Sequence, residues 1–395
     1  MTGPMSGVRI VDCSAVISGP LATMMLADQG AEVIKIEPPG RGDITRTPWF
    51  ARGGISSLFA NANRGKRSVA LDLHTARGCE ILKELVLRAD VFVQNFRPGA
   101  MERLGLSETD LRAVKPDLIY VSISGFGDSG PYAERRVYDP VIQGLTGHIA
   151  VQRLPHASGP LDLVRNIVAD KSTAYTAAQA ITAALFARER GRGGQHVKIS
   201  MIDASLAFFW CDGMIAHTMI GGEVPGGTAL YDIYRLRETA DGALVVIAAS
   251  DSEFHGLLRA VRRTDLIEDL RFRTLAERYQ NIDALEQILI DEFKKWPAAE
   301  ILARLIAEDV PAGPVHTLED VIDDPQVRHN QAVIESEHPA AGRMRQAAPP
   351  ARFARTPSVA GAPAPVLGQH TDEVLKEIGI DATECARLRA EGVIG

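Results

Sequence analysis

No run in this sequence is long and apolar enough to span a bilayer, and the opening residues, Met1 to Gly7, lack a basic region followed by an apolar one. Neither a membrane anchor nor a secretory leader is expected, and the chain reads as cytoplasmic. Cysteine is scarce: Cys13, Cys79, Cys211 and Cys385 are scattered, with neither paired nor metal-ligand spacing. That excludes a disulfide framework and suits a reducing compartment. No His-Glu cluster is present and the ten histidines are mostly isolated, so no metal site is expected. A net charge of -7 argues against general nucleic-acid binding, while leaving room for a local basic pocket. No Gly-x-Gly-x-x-Gly follows the first strand, which disfavours a dehydrogenase. No internal repeat is present.

The 395 residues, 46% hydrophobic and 24% charged, have the composition of a globular chain with core enough for two domains or three. Val8 to Asp12 is a β-branched run. A turn-rich segment reaching Pro20 follows, then an apolar helix from Leu21 to about Gln29, which Gly30 stops, and a second strand over 31–36. Pro20 suits a first helical position, which aims the amides near Ile17 and Ser18 into the crevice at the strand's carboxyl end. The alternation continues with strands over 68–73, 91–94 and 118–122 and helices over 75–88 and 107–114, the latter opening on a Ser107…Asp110 cap. Such alternation predicts a parallel, doubly wound α/β sheet. The loops 95–99 and 124–131 fall at its ligand-binding end.

Asp170 ends an apolar run and precedes an Ala-rich helix. A carboxylate there is either an ordinary N-cap or a nucleophile held ionised by the helix end. Farther on, a strand over 196–200 leads into an apolar helix over about 202–219, and the Gly-rich 221–227 marks a boundary or a mobile loop. A smaller, partly antiparallel domain follows, with strands over 231–237 and 244–248 around Ala240-Asp-Gly242, a Ser250…Glu253 capping box, and helices over 285–295 and 298–308. Residues 331–366 read as a long connection, and 371–378 as a final helix.

Several segments together resemble the class III coenzyme A transferases, the CaiB/BaiF family. They are Ser18-Gly-Pro20, Gly30 to Glu37, Arg64 to Asp72, Gln94 to Gly99, Ser124 to Gly127, Gly194 to Ala204, Val310 to Val315 and Leu367 to Thr371. The resemblance implies a large Rossmann-like CoA-binding domain built from 1–220 and completed by 331–395, a small α/β domain over 221–330, and an interlocked homodimer. It implies coenzyme A as the bound substrate group, with an acyl-CoA and a carboxylic acid as partners. It also places the nucleophile at Asp170.

A carboxylate at a helix N-terminus is expected to be ionised near neutral pH. Its attack on a thioester produces an anhydride that must be kept from water, so extensive CoA contacts and a lid are expected. Backbone amides near Ile17 and Ser18 are candidates for oxyanion stabilisation, and Gly226 and Gly227 match a covering loop. Arg64, Lys66, Asn95, Phe96, Arg97, Arg103, Arg136 and Tyr138 are the candidate CoA contacts. Ile17 stands where formyl-CoA:oxalate members carry Gln, which argues for a less polar acyl group. Tyr138 stands where racemase members carry His, so one racemase base is absent. A racemase or another acyl-CoA enzyme of this fold is the second reading, and a catalytically silent CoA-binding protein the third.

Overall fold

The computed structural model describes residues 3–47, 50–152, 161–222, 229, 231 and 234–395. The chain divides into two compact units. The first comprises Met1–Arg153, Gly159–Cys211 and Arg328–Gly395, and Asp212–Val327 lies in the second.

The first unit is built on a six-stranded parallel sheet. In chain order its strands are β1 (Arg9–Asp12), β2 (Glu32–Glu37), β5 (Lys66–Ala70), β6 (Val91–Gln94), β7 (Ile119–Ser124) and β8 (His196–Ser200); a small antiparallel pair, β3 (Ala51–Arg52) and β4 (Ile55–Ser56), stands apart. Their spatial order is β5-β2-β1-β6-β7-β8, parallel throughout. The order reverses between β1 and β6, so their connections diverge and leave a crevice at the strands' carboxyl ends.

Buried parallel strands read as near-continuous apolar runs, and the sheet is covered on both faces. The unit's first helices in chain order are α1 (Ser18–Asp28), α2 (Ser57–Asn63), α3 (Ala76–Val86), α4 (Ala100–Arg103), α5 (Glu108–Val114), α6 (Asp139–Leu145) and α7 (Val168–Ala187). On one face α1 and α7 pack Ala22, Leu26, Ala174, Ala177 and Ile181 against Ile10, Val33, Val93 and Val121. The many alanines of α7 let it approach the sheet closely. On the other face Ile81, Leu85 and Leu111, with Val374 and Leu388 from the returning segment, cover Val11, Ile34 and Phe92.

Some boundaries differ from the sequence reading. α1 begins at Ser18, so Pro20 is its third residue; that position also lacks an intrahelical acceptor for its N–H, so proline is tolerated. The apolar helix expected over 202–219 runs over Met201–Gly213 and gives way to a 3-10 turn at Ile215–His217. The stretch 331–366 is not a plain connection: Val333–His338 and Gly342–Ala347 pair as an antiparallel hairpin. Its partners are polar, with Glu335 bridging Arg343 and Arg345, so it lacks the apolar alternation that marks a half-buried strand.

In the second unit Ala243–Val246 lies between Leu236–Glu238 and Ala312–Pro314, antiparallel to both. The first of these strands is shorter than the expected 231–237, part of which lies outside the described residues. Helices Asp251–Ala260, Ile282–Phe293 and Ala298–Ala307 bury Phe254, Leu258, Leu289, Phe293, Ile301 and Leu305 around this sheet. The Ser107…Asp110 and Ser250…Glu253 capping boxes both form. No described helix is long and apolar enough to cross a membrane.

Candidate active site

The crevice holds a cleft of about 340 Å³. Three strand ends contribute to it: Val16 and Ser18 after β1, Asn95 to Pro98 after β6, and Ile123 to Gly125 at the end of β7. Residues 133–138, Asp170 and Met201 complete the lining. The apolar wall joins Val137 and Met201 to Ile142 and Ala169. Gly125 makes this wall fit, because a Cβ there would lie 2.3 Å from Val137 Cγ1.

Asp170 occupies the first turn of α7, three residues after the N-cap Ile167, so it does not cap the helix. The cap comes from Asp139 of α6 (Asp139–Leu145). Its Oδ2 accepts from the amides of Ala169 at 2.7 Å and Asp170 at 2.9 Å, which satisfies donors that the helix cannot. Gln143, one turn along α6, donates to Asp139 Oδ1 at 2.5 Å and to the carbonyls of Val164 and Asn166. Two side chains of α6 thereby fix the entry into α7.

Asp170 is 9% exposed. Burial, with the Asp139 carboxylate adding to it, pushes its carboxyl up from 3.8 to about 6, against hydrogen bonds donated by the Ser18 hydroxyl and amide. The helix end alone would have lowered it. At pH 7 roughly nine in ten molecules still carry the charge. Asp139 has both oxygens engaged with donors, so it is no free acid or base.

The sequence-derived candidates divide sharply. Ser18, Asn95, Phe96, Arg97, Arg136, Tyr138 and Asp170 line the cleft. Arg97 and Arg136 are exposed and form no ion pair among the described residues, while Tyr138 is 67% and Phe96 40% exposed. Ile17 is buried at the N-cap of α1 and is not part of the lining. Arg103 is exposed at the end of α4 (Ala100–Arg103), off the cleft. Gly226 and Gly227 lie outside the described residues.

Arg64 and Lys66 stand elsewhere. Arg64 grips Asp28 with two bonds, 3.0 and 2.7 Å, and both partners are buried. Lys66 is buried against Asp12 at 2.9 Å, the Pro20 carbonyl and Asn63. Burial pushes the Lys66 ammonium down to about 8, and Asp12 keeps it charged; Asp12, despite burial, is brought down to about 2 by Lys66 and Lys35. Both cations pair with carboxylates inside the fold, and neither lines the cleft with Asp170.

Reading the sequence singles out the segment 135–139 but misses Val16, the capping role of Asp139 and the Val137-Met201 wall. Val16 leaves one signal only in the backbone, a φ of 71°, rare for a β-branched residue. No described group of three or more His, Cys, Asp or Glu side chains is placed to hold a metal ion.

Comparison with known proteins adds to this geometry. The profile of CoA-transferase family III matches residues 5–371. The mouse (Mus musculus) succinyl-CoA:glutarate CoA-transferase is 36% identical, over 99% of this chain and 90% of its own. The succinate–glutarate CoA-transferase of Agrobacterium fabrum is 34% identical, over 95% and 96%. A crystal structure of a CaiB/BaiF family protein from Brucella suis superposes with a TM-score of 0.82 at 31% identity, over 96% of this chain and all of that one.

Proposed function

Since the chain belongs to CoA-transferase family III and is a class III CoA-transferase, we propose that Asp170 is its nucleophile and that it carries CoA from an acyl-CoA to a dicarboxylic acid. The observation that carries this reading is the placement of Asp170: a nearly buried carboxylate, mostly charged at neutral pH, in the lining of a cleft, while the Asp139 carboxylate that acts on it is engaged by three donors.

The ionised Asp170 attacks the thioester carbonyl and the C–S bond breaks, leaving an acyl-aspartyl anhydride and CoA thiolate. The thiolate attacks the aspartyl carbonyl, releases the donor acid as its carboxylate and forms an aspartyl-CoA thioester. The acceptor carboxylate then displaces the thiolate to make a second anhydride. Return of the thiolate to the acceptor carbonyl gives the new acyl-CoA and restores Asp170. No step needs a proton, so the scheme asks for no protein base beside the nucleophile. Each anhydride survives only while water is kept out, a task for the Val137-Met201 wall and the bound CoA itself.

Arg97 and Arg136 supply charge for CoA phosphates, and Phe96 a face for the pantetheine-adenine arm. The dicarboxylate assignment rests on the acceptor in the relatives' names, glutarate, and on the cationic Arg135, which lines the same cleft as Asp170. An acyl group less polar than oxalate suits the apolar wall. We take the working form to be an interlocked homodimer, which light scattering of the purified protein tests.

The deciding experiment is intact-protein mass after incubation with succinyl-CoA and glutarate, and then with a wider panel. The expected result is a covalent adduct on Asp170, lost in Asp170→Ala, together with exchange of CoA between acids. Solvent deuterium entering the α-carbon without such exchange would overturn transfer in favour of racemisation.

A further inference from the structure

Between β1 and α1 the chain adopts a backbone that its own residues do not favour. Val16 is β-branched yet sits at φ 71°, in the left-handed region, where its Cβ crowds the neighbouring carbonyl. Such a conformation persists only where the surroundings impose it. Here they act from two sides. The Asn95 side chain takes both backbone groups of Ala15: Oδ1 accepts from Ala15 N at 2.8 Å, and Nδ2 donates to Ala15 O at 2.7 Å. On the other side the Val16 amide faces the Asp43 carboxylate at 3.2 and 3.4 Å. Asp43 is itself fixed by the buried Lys35 ammonium at 3.1 Å, and Lys35 also donates to Ser14 O at 2.9 Å.

Two residues beyond Val16 comes Ser18, which lines the cleft together with Asp170 and whose hydroxyl and amide favour the charged form of that carboxyl. The direction in which Ser18 points is set by the turn before it. Gly19 permits that turn, since a Cβ there would come within 2.2 Å of Ser14 Oγ. We infer that Asn95 is a positioning residue for the reaction at Asp170: by clamping Ala15 it holds Val16 left-handed, which keeps Ser18 against the nucleophile. This rests on Asp170 as nucleophile, and it departs from the role of direct CoA contact, since the Asn95 amide already has its acceptor and one donor in use.

Without the clamp the loop relaxes, Ser18 leaves Asp170, and the carboxylate loses the donors that favour its charged form. The other groups around it remain: Asp139 of α6 acts on it directly, and Arg97 from the loop after β6 and Glu134, Arg135 and Arg136 from the segment before α6 line the same cleft.

The test is steady-state transfer by the full-length protein carrying Asn95→Ala. Positioning through Ser18 lowers kcat about tenfold while KM for acyl-CoA stays within about threefold, and moves the acid limb of kcat to higher pH. Adding Val16→Gly, which adopts the left-handed backbone unaided, recovers about fivefold of the loss. A raised KM at unchanged kcat, or a double variant no better than Asn95→Ala, overturns the inference and leaves Asn95 a ligand contact. Asn95→Asp keeps the acceptor for Ala15 N and removes the donor, so the same readouts apply should the alanine variant not fold. Asp170→Ala is assayed alongside: transfer at the wild-type rate refutes the nucleophile itself, whereas an inactive Asp170→Ala with a pure KM effect at Asn95 refutes only the clamp.

Discussion

Asp170→Asn is expected to stabilise the protein at neutral pH while removing transfer. The carboxyl is displaced from 3.8 to about 6, close to two units, and each unit corresponds to about 1.36 kcal/mol. Keeping the charge in the fold therefore costs on the order of 3 kcal/mol, an upper bound because the unfolded reference retains some structure. The sign follows from proton binding. Between pH 4 and 6 the unfolded chain has released the Asp170 proton and the native chain still holds it, so native stability falls as pH rises through that window. Below pH 4 both states are protonated and the penalty vanishes. Asn keeps the shape and carries no charge, so the variant lacks this penalty. Urea melts of wild type and Asp170→Asn at intervals from pH 4 to 8 should diverge between 4 and 6 and then run parallel, with the variant more stable by up to about 3 kcal/mol. A difference independent of pH, or a less stable variant at pH 8, refutes the account of a buried carboxylate charged at the fold's expense.

Asp139→Asn keeps an acceptor for the Ala169 and Asp170 amides and removes the opposing charge, so the acid limb of kcat/KM should move to lower pH; Asp139→Ala also loses the cap and should cost about 1–2 kcal/mol in melts. Arg64→Met strands the Asp28 carboxylate in the interior and is expected to destabilise by about 3–5 kcal/mol, with KM for acyl-CoA unchanged in the folded fraction. Arg97→Gln and Arg136→Gln should each raise KM for acyl-CoA roughly tenfold at near-constant kcat, as loss of uniform binding predicts. Titration with desulfo-CoA and with dephospho-CoA assigns each arginine to its phosphate.

What could be read beforehand was local. The strand-helix alternation of the first 120 residues follows from apolar periodicity, and the capping boxes from short spacings. The first turn of α7 was legible as an Ala-rich helix preceded by an acid, and the family pattern pointed to that acid. The partners were not legible. Arg64 and Lys66 read as free loop cations because Asp28 and Asp12 lie 36 and 54 residues away in sequence. Asp139 was visible only as one acid in a charged segment, since its cap spans 30 residues. The direction of the Asp170 shift was missed for the same reason: a helix end is a local feature, but burial and a facing carboxylate belong to the tertiary fold. The hairpin at 333–347 was hidden by its charged faces.

The return of residues 328–395 to the first unit bears on how the protein is made. Val374, Leu375, Leu388, Val393 and Ile394 belong to the core beneath β2, β5 and β6, and Leu71 bridges to Ile394. During synthesis one face of the six-stranded sheet therefore leaves the ribosome only partly covered, by the helices that carry Ile81, Leu85 and Leu111, and the rest of its cover must wait for the whole second unit, Asp212–Val327, to be translated. A premature stop between 328 and 373 would yield a chain with every lining residue of the cleft present, yet with part of one sheet face left uncovered.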